Sequence, residues 1–385
     1  MQTTRIYLDN AASKPMDPEV LEVMRPYLLE AFGNPSSTHG HGRALRNAIE
    51  ESRRTIAGCL HAQPAEIFFT SGGTEADNLA IRGAVEAYDI KHVISSPVEH
   101  HAVTHTIEEL EKAGKISVSW LSVDQYGRPD LNQLDQLLAT SPRSLVSLMH
   151  VNNELGTISD IRHIGEMCHQ YDALFHSDTV QSMGALPLPM DELKVDFATA
   201  AAHKFYGPKG VGFLYVRKGL HLPAQITGGS QERKLRAGTE NVAFIVGMAH
   251  ALQKCTTMLD KKQAHMLHLK QLLMQRLEAE VPGIAYNGPT DVEEAFCGVL
   301  NVALPCQGED AMLLFNLDLA GISASGGSAC SSGALIGSHV LRAIGANKNG
   351  LLNSIRFSFG MQNTPEEIEI VVAKLKEIIP VRVEA

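Results

Sequence analysis

Short apolar, β-branched runs alternate along this chain with longer stretches in which apolar residues recur at helical spacing. The runs read as strands at Glu66–Thr70, His92–Ser95, Ile116–Leu121, Ser144–His150, Ala173–Asp178, Val195–Thr199 and Val211–Val216. Between them, Thr74–Tyr88, His101–Ala113, Leu131–Ala139 and Ile161–Tyr171 read as amphipathic helices. This alternation predicts an α/β fold with a mainly parallel sheet covered by helices on both faces. Ligands of such sheets bind at the strand ends, so polar residues there are the first candidates for chemistry. From Thr239 to Glu280 the pattern is helical with few breakers, and it predicts one long helix bridging to a smaller C-terminal α+β domain. Strands at Gly298–Leu304 and Ser354–Ser358 and a terminal helix from Pro365 complete that part.

Composition narrows the function classes. A formal net charge of −10, with no Lys/Arg-rich block, argues against non-specific binding to nucleic acid or to an anionic membrane. The six cysteines (Cys59, Cys168, Cys255, Cys297, Cys306 and Cys330) form no C-x-x-C pair, which fits free thiols in a reducing compartment. The opening MQTTRIYLDNAASK has no apolar stretch of signal-peptide length, and no later run is long enough to span a bilayer. A cytoplasmic protein is the expectation.

Six segments carry candidate chemistry. In AAHKFYGPKG, Lys204 lies between an apolar run and a Gly-Pro turn, where a lysine can have a lowered pKa and form a Schiff base with a carbonyl cofactor, or can simply cap the turn. In HSDTVQS, Asp178 ends an apolar strand; an acid there can pair with a protonated ring nitrogen, or cap the next element. TSGGTEADN runs strand, glycine turn, helix, and with the Thr74 hydroxyl it makes a one-phosphate site; it has neither the P-loop ending nor the dinucleotide glycine spacing. EHHAVTH sets His101 and His105 at i, i+4, but no third ligand has metal-site spacing, and no metal is expected. His100, at the strand-to-helix junction, is better placed to stack on a flat ring or shuttle protons. RFSFG offers Arg356 for a bidentate grip on a carboxylate, or for a structural salt bridge. Finally, SGGSACSSGALIGS puts Cys330 in a run of small residues that costs little to deform, either a nucleophile once deprotonated or a thiol of no consequence.

In this order, YLDNAAS, FGNPSSTHGHGR, TSGGTEADN, VEHHAV, MHVNNELG, HSDTVQS, HKFYGPKG, RAGTEN, GGSACSS and SIRFSFG resemble the pyridoxal-phosphate-dependent cysteine desulfurases, the class V branch of the aminotransferase superfamily, over nearly the whole chain. The group with a G-S-A-C loop is the nearest match; the R-x-G-H-x-C pattern of the other branch is absent. The resemblance implies the fold type I transferase architecture. Residues 15–260 would form a large cofactor domain, and 1–14 with 261–385 a small domain carrying the cysteine loop 325–338. It implies that Lys204 holds pyridoxal 5'-phosphate as a Schiff base and moves the Cα proton. Asp178 would face the pyridine nitrogen, Gln181 the ring hydroxyl oxygen, and His100 and Val180 the two ring faces. Gly73, Thr74 and His203 would hold the phosphate, joined across a homodimer by Thr239 of the partner subunit. Asn153 and Arg356 would bind the carboxylate of L-cysteine. The Cys330 thiolate would take the substrate sulfur as a persulfide, leaving alanine, and carry it to an acceptor protein or small thiol for iron–sulfur cluster or other sulfur-cofactor synthesis. Its two destinations need a mobile tether, supplied by Gly326, Gly327, Gly333 and Gly337.

Three departures qualify the likeness. Ala201 stands where the family has a phosphate-binding serine, so cofactor affinity is expected to fall unless Ser177 or a water compensates. Ser13-Lys14 replaces two threonines. Few residues follow the terminal helix, where housekeeping relatives carry a tail that docks an iron–sulfur scaffold, and this leaves the sulfur acceptor open. A selenocysteine lyase, or another class V lyase or transaminase, is the alternative reading.

Overall fold

The computed structural model describes residues 5–141, 143–292, 294–305, 312–326, 337–346 and 353–379. Its strands are β1 (Ile6–Tyr7), β2 (Ile67–Thr70), β3 (His92–Ser95), β4 (Ser117–Trp120), β5 (Leu145–Ser147), β6 (Leu174–Asp178), β7 (Phe197–Ala201), β8 (Gly212–Val216), β9 (Ala285–Asn287), β10 (Val299–Leu304), β11 (Ile322–Ser323) and β12 (Asn353–Ser358). Among the described residues, β2 to β8 form a seven-stranded sheet in the order β2-β8-β7-β6-β5-β3-β4. Strands β4, β3, β5, β6 and β7 run parallel, while β8 is antiparallel to both β7 and β2. β2 therefore points the same way as the parallel set, and the carboxyl ends of six strands open on one side.

The α/β class read from the sequence is the one observed. The apolar stripe of the helix Gly73–Ala87, which includes Ala76, Leu79, Ala80 and Ile81, packs with β3, β7 and β8 in one core. The other face of the sheet forms a larger core with Val20, Ile49, Ile56, Phe213, Met248 and Leu252. A third core joins Ile6 and Leu8 to Leu269, Leu273, Val302, Phe357 and Val371, around the antiparallel sheet β12-β10-β9.

Two expectations need correction. The long helix is two, Val242–Thr257 and Leu259–Glu280, bent by 74° at Met258. Each half belongs to a different core, and one straight rod could not serve both. Strand edges also differ: β5 stops at Ser147, although Leu148 N and His150 N still donate to His176 O and Asp178 O of β6, and β7 ends at Ala201 rather than Thr199. Among the described residues no single helix is long and apolar enough to cross a membrane.

The first strand decides how the site is closed. β1 pairs in parallel with β11, beside the third core. Beyond it the backbone is tied to β12: Asn10 Nδ2 donates to Ser358 O at 2.8 Å, and Ala11 N donates to Ser358 Oγ at 2.8 Å. The chain then reaches the open ends of the large sheet, where Lys14 N donates to His203 O at 2.9 Å. Residues 9–14 thus form a strap between the two sheets.

Candidate active site

Where the strap meets the strand ends there is a cavity of about 220 Å³. Its acidic wall starts from β6. Asp178, the last residue of that strand, is buried and accepts a hydrogen bond from Val180 N at 2.9 Å. Asp77, one turn into the helix Gly73–Ala87, is buried beside it. Burial, and then the neighbouring Asp77 carboxylate, push Asp178 up to about 6; burial pushes Asp77 up to about 7. Behind them Glu99 is held by Met149 N at 2.9 Å and Ser96 Oγ at 3.2 Å, and burial raises it well above the ordinary carboxylate range.

His100 stands between these acids and the cavity. It caps the helix His101–Lys112, its Nδ1 accepting from Ala102 N at 3.1 Å. With Nδ1 as the acceptor, a neutral ring carries its proton on Nε2. Burial lowers its pKa, against the opposing pull of Asp178. The donor atoms of Asp77, His100 and Asp178 lie within 4.8 Å of one another, close enough for a metal ion. Two crowded carboxylates call for a positive partner, and a protonated ring nitrogen over Asp178 meets that need as well as a metal does. His101 and His105, the weighed metal pair, stack at 4.5 Å between ring centroids, with His339 4.3 Å from His101.

The amine wall comes from the turn after β7. Lys204 lines the cavity, its Nζ donating to Ala11 O at 2.5 Å and Ala12 O at 3.1 Å, both on the strap. His203 lines it too, its Nδ1 3.3 Å from Ser13 Oγ, and burial with nearby Lys204 lowers it to about 4. Gln181 donates from Nε2 to Ala11 O at 2.9 Å. Opposite, Gly73 and Thr74 open the helix that follows β2, with their backbone N–H groups at its positive end. A Cβ on Gly73 would stand 2.8 Å from Val180 Cγ2, so the missing side chain leaves the slot between them.

The third wall is built for an anion. Arg356, on β12 and 1% exposed, donates from Nη2 to Asp9 Oδ1 at 2.7 Å and from Nη1 to Asn153 O at 2.9 Å. Its salt bridge and its place in the cavity coexist. Asn153 also lines the cavity, though its contact with Arg356 is through the backbone.

The structure thus gathers Gly73, Thr74, His100, Asn153, Asp178, Val180, Gln181, His203, Lys204 and Arg356 around one cavity. Thr239 is exposed and does not line it. Cys330, Gly327 and Gly333 lie outside the described residues, as do residues 327–336 of the loop 325–338. Ala201 lines the cavity, but Ser177 is wholly buried in β6 and does not; Ser13 Oγ lies 3.3 Å from His203 Nδ1. Sequence reasoning gave no role to Asp9, Asp77 or Glu99. Asp9 stood inside YLDNAAS and Asp77 inside TSGGTEADN, so the signal was position in a motif already singled out.

The surroundings fit pyridoxal phosphate: a lysine amine, a buried acid needing a cationic partner, a slot for a flat ring and a helix start for a phosphate. The sequence profile of the aminotransferase class-V family matches residues 6–371. The chain is 43% identical over 382 residues to cysteine desulfurase IscS of Dictyoglomus turgidum, covering 97% of this chain and 94% of that one. A solved NifS-like protein superposes with a TM-score of 0.89 at 35% identity, covering 97% of this chain and 99% of its own. SspA, solved in complex with cysteine, superposes at 0.81 with 33% identity, over 94% of this chain and 100% of that one.

Proposed function

The chain belongs to the aminotransferase class-V family, and we propose from that premise that it is a pyridoxal-phosphate-dependent cysteine desulfurase. The observation that carries this is the meeting, in one cavity, of Lys204, the crowded acid Asp178 and the carboxylate-binding pair Arg356 and Asn153. Bound there, pyridoxal phosphate supplies a carbonyl for Schiff-base formation and a ring that withdraws electrons from the substrate Cα. Every other part falls to the protein.

Lys204 Nζ would hold the cofactor through its carbonyl and, when free, would move the Cα proton. Asp178 keeps a proton on the ring nitrogen; a carboxylate whose own proton is held up to about 6 by burial and Asp77 gains most from a cation beside it. His100 and Val180 would flank the ring of the cofactor, one on each face. The Gly73–Thr74 helix start and His203 hold the phosphate, with Thr239 of the partner subunit completing the site in a homodimer. Arg356 and Asn153 orient the substrate carboxylate. The Cys330 thiolate attacks the sulfur of L-cysteine, the carbon–sulfur bond breaks, and the carbon takes up protons to become alanine. Net, L-cysteine and the Cys330 thiol give L-alanine and a Cys330 persulfide, which an acceptor protein or small thiol then removes. With free thiols and an acidic surface, we place the reaction in the cytoplasm.

The test is alanine release from L-cysteine, with reductant, by wild type, Cys330→Ala and Lys204→Ala. We expect release by wild type and a loss on the order of a hundredfold or more in both variants. Full activity in Cys330→Ala would turn the reading to a lyase that does not need the thiol.

A further inference from the structure

Arg356 grips a carboxylate only if its planar fork is held at the correct angle, and the residue best placed to hold it is not one that touches substrate. Asp9 Oδ1 accepts from Arg356 Nη2 at 2.7 Å and from Ser325 Oγ at 2.8 Å. The two donors are themselves neighbours. Ser325 N donates to Arg356 O at 3.2 Å, and Arg356 N donates to Ser325 O at 2.6 Å. With Nη1 committed to Asn153 O, the guanidinium is fixed at both of its outer nitrogens. Its Nε has no hydrogen-bond partner among the described residues, although the atom is buried. A buried charged donor left unpaired is costly unless a ligand completes it. The backbone around Asp9 is equally fixed: Asp9 bridges Ser358, and Asn10 is bound to Ser358 and, through Nδ2, to Asn363 Oδ1 at 3.1 Å.

We infer that Asp9 is a positioning residue for the substrate carboxylate: it holds Arg356 so that its three remaining N–H groups, Nε–H among them, are left for the ligand, and it holds Ser325 beside that arginine. The inference rests on the desulfurase reading for the identity of the substrate, but its geometry concerns any α-amino acid. Asp9 acts by where it puts Arg356. An asparagine, which keeps the accepting oxygen, therefore does the same work, and an alanine does not.

The experiment is a titration of the cofactor-loaded protein with L-alanine, which carries the amine and carboxylate but no sulfur, read from the absorbance of the bound cofactor. Asp9→Ala is expected to weaken L-alanine about tenfold. It should raise KM for L-cysteine by the same factor, while kcat changes less than about threefold. Asp9→Asn should restore both to within about threefold of wild type. Ser325→Ala, which spares the Asp9–Arg356 contact, should bind L-alanine as wild type does. Equal binding by Asp9→Ala and wild type overturns the inference, as does an equal loss in Ser325→Ala. If Asp9→Ala fails to fold, Asp9→Asn decides: a tenfold loss there shows that charge rather than position matters, and overturns it. Wild type that binds L-alanine yet releases none from L-cysteine removes the desulfurase reading and leaves the Asp9 comparison standing. Wild type that binds no amino acid removes both.

Discussion

Among the buried charges of the described residues, two sets are treated in opposite ways. Far from the cavity wall, Arg53 and Glu232 face each other with both side chains 3% exposed, in two parallel hydrogen bonds of 2.8 Å. Every remaining need is met nearby: Arg53 also donates to Ile67 O at 2.7 Å, Glu232 accepts from Phe69 N at 2.8 Å, and the guanidinium lies 4.5 Å from the Phe69 ring centre. Around the cavity nothing is so complete. Asp77 and Asp178 crowd one wall, Asp77 Oδ1 has only a poorly aligned His176 Nε2 at 3.3 Å, and both acids are pushed toward neutrality. Behind the amine wall Lys14 is buried, its Nζ 5.6 Å from the Tyr206 ring centre, with Lys262 Nζ at 5.5 Å from the same ring. Burial, and then Lys262, pull Lys14 down to about 7. Completed pairs hold the fold, and incomplete ones mark where a ligand is awaited.

The largest effect should come from breaking the completed pair. Arg53→Met leaves Glu232 buried without its cationic partner, with only Phe69 N still donating to it, and should cost about 3–5 kcal/mol in urea unfolding. It should also loosen the turn at Glu232, Arg233 and Lys234, which holds left-handed φ values of 42°, 56° and 68°. Pairing it with Glu232→Leu should recover most of that loss; a single variant as stable as wild type would erase the contrast.

Lys14→Met should do the reverse and stabilise the protein at pH 7, by about 3 kcal/mol. The sign follows from the direction of the shift. The folded amine titrates at about 7 and the unfolded one near its ordinary value of 10.5, so the unfolded chain binds more protons between these limits. Wild type therefore gains stability as pH rises from about 7 to 10.5, and the variant should lack that slope in unfolding measured across the window.

Smaller still, Asp178→Asn should stabilise the apoprotein by about 2 kcal/mol at pH 7 while lowering alanine release on the order of a hundredfold. Its folded pKa, raised to about 6 from 3.8, means that its stability contribution is whole below pH 3.8 and lost as pH rises through 6. Apoprotein unfolding at pH 4 and pH 7 checks the sign: an asparagine variant less stable at pH 7 would show that this acid is paired after all.

Much of this was legible in the sequence. The strand His92–Ser95 has the same bounds in the sequence reading and in the structure: Val93 and Ile94 form its apolar centre and all four residues are buried. β1 and β11, two residues each, are too short to show any period. The helix Gly40–Cys59 escaped because Arg53 sits on its buried face and interrupts the apolar stripe that Leu45, Ile49 and Ile56 would otherwise draw. At the site, residues in strand-end motifs were found, since motif position and chemistry coincide there. Asp9, Asp77 and Glu99 were not, because what distinguishes them is a neighbour distant in sequence: Met149 for Glu99, Asp178 for Asp77 and Arg356 for Asp9.

The strap carries one further consequence, for the order in which the protein comes into being. Asn10 and Ser358, joined at the rim of the cavity, are separated by 348 positions in the chain. A ribosome releases the turn at Lys204 long before it makes Arg356 or Ser358, and until then residues 9–14 can lie against Gln181, His203 and Lys204 but not against β12. The large sheet can fold early, but the strap is anchored on one side only until β12 has been made. Chains that stop short of β12 therefore carry Lys204 without Arg356, and the arrival of that strand is what brings the two walls of the cavity together.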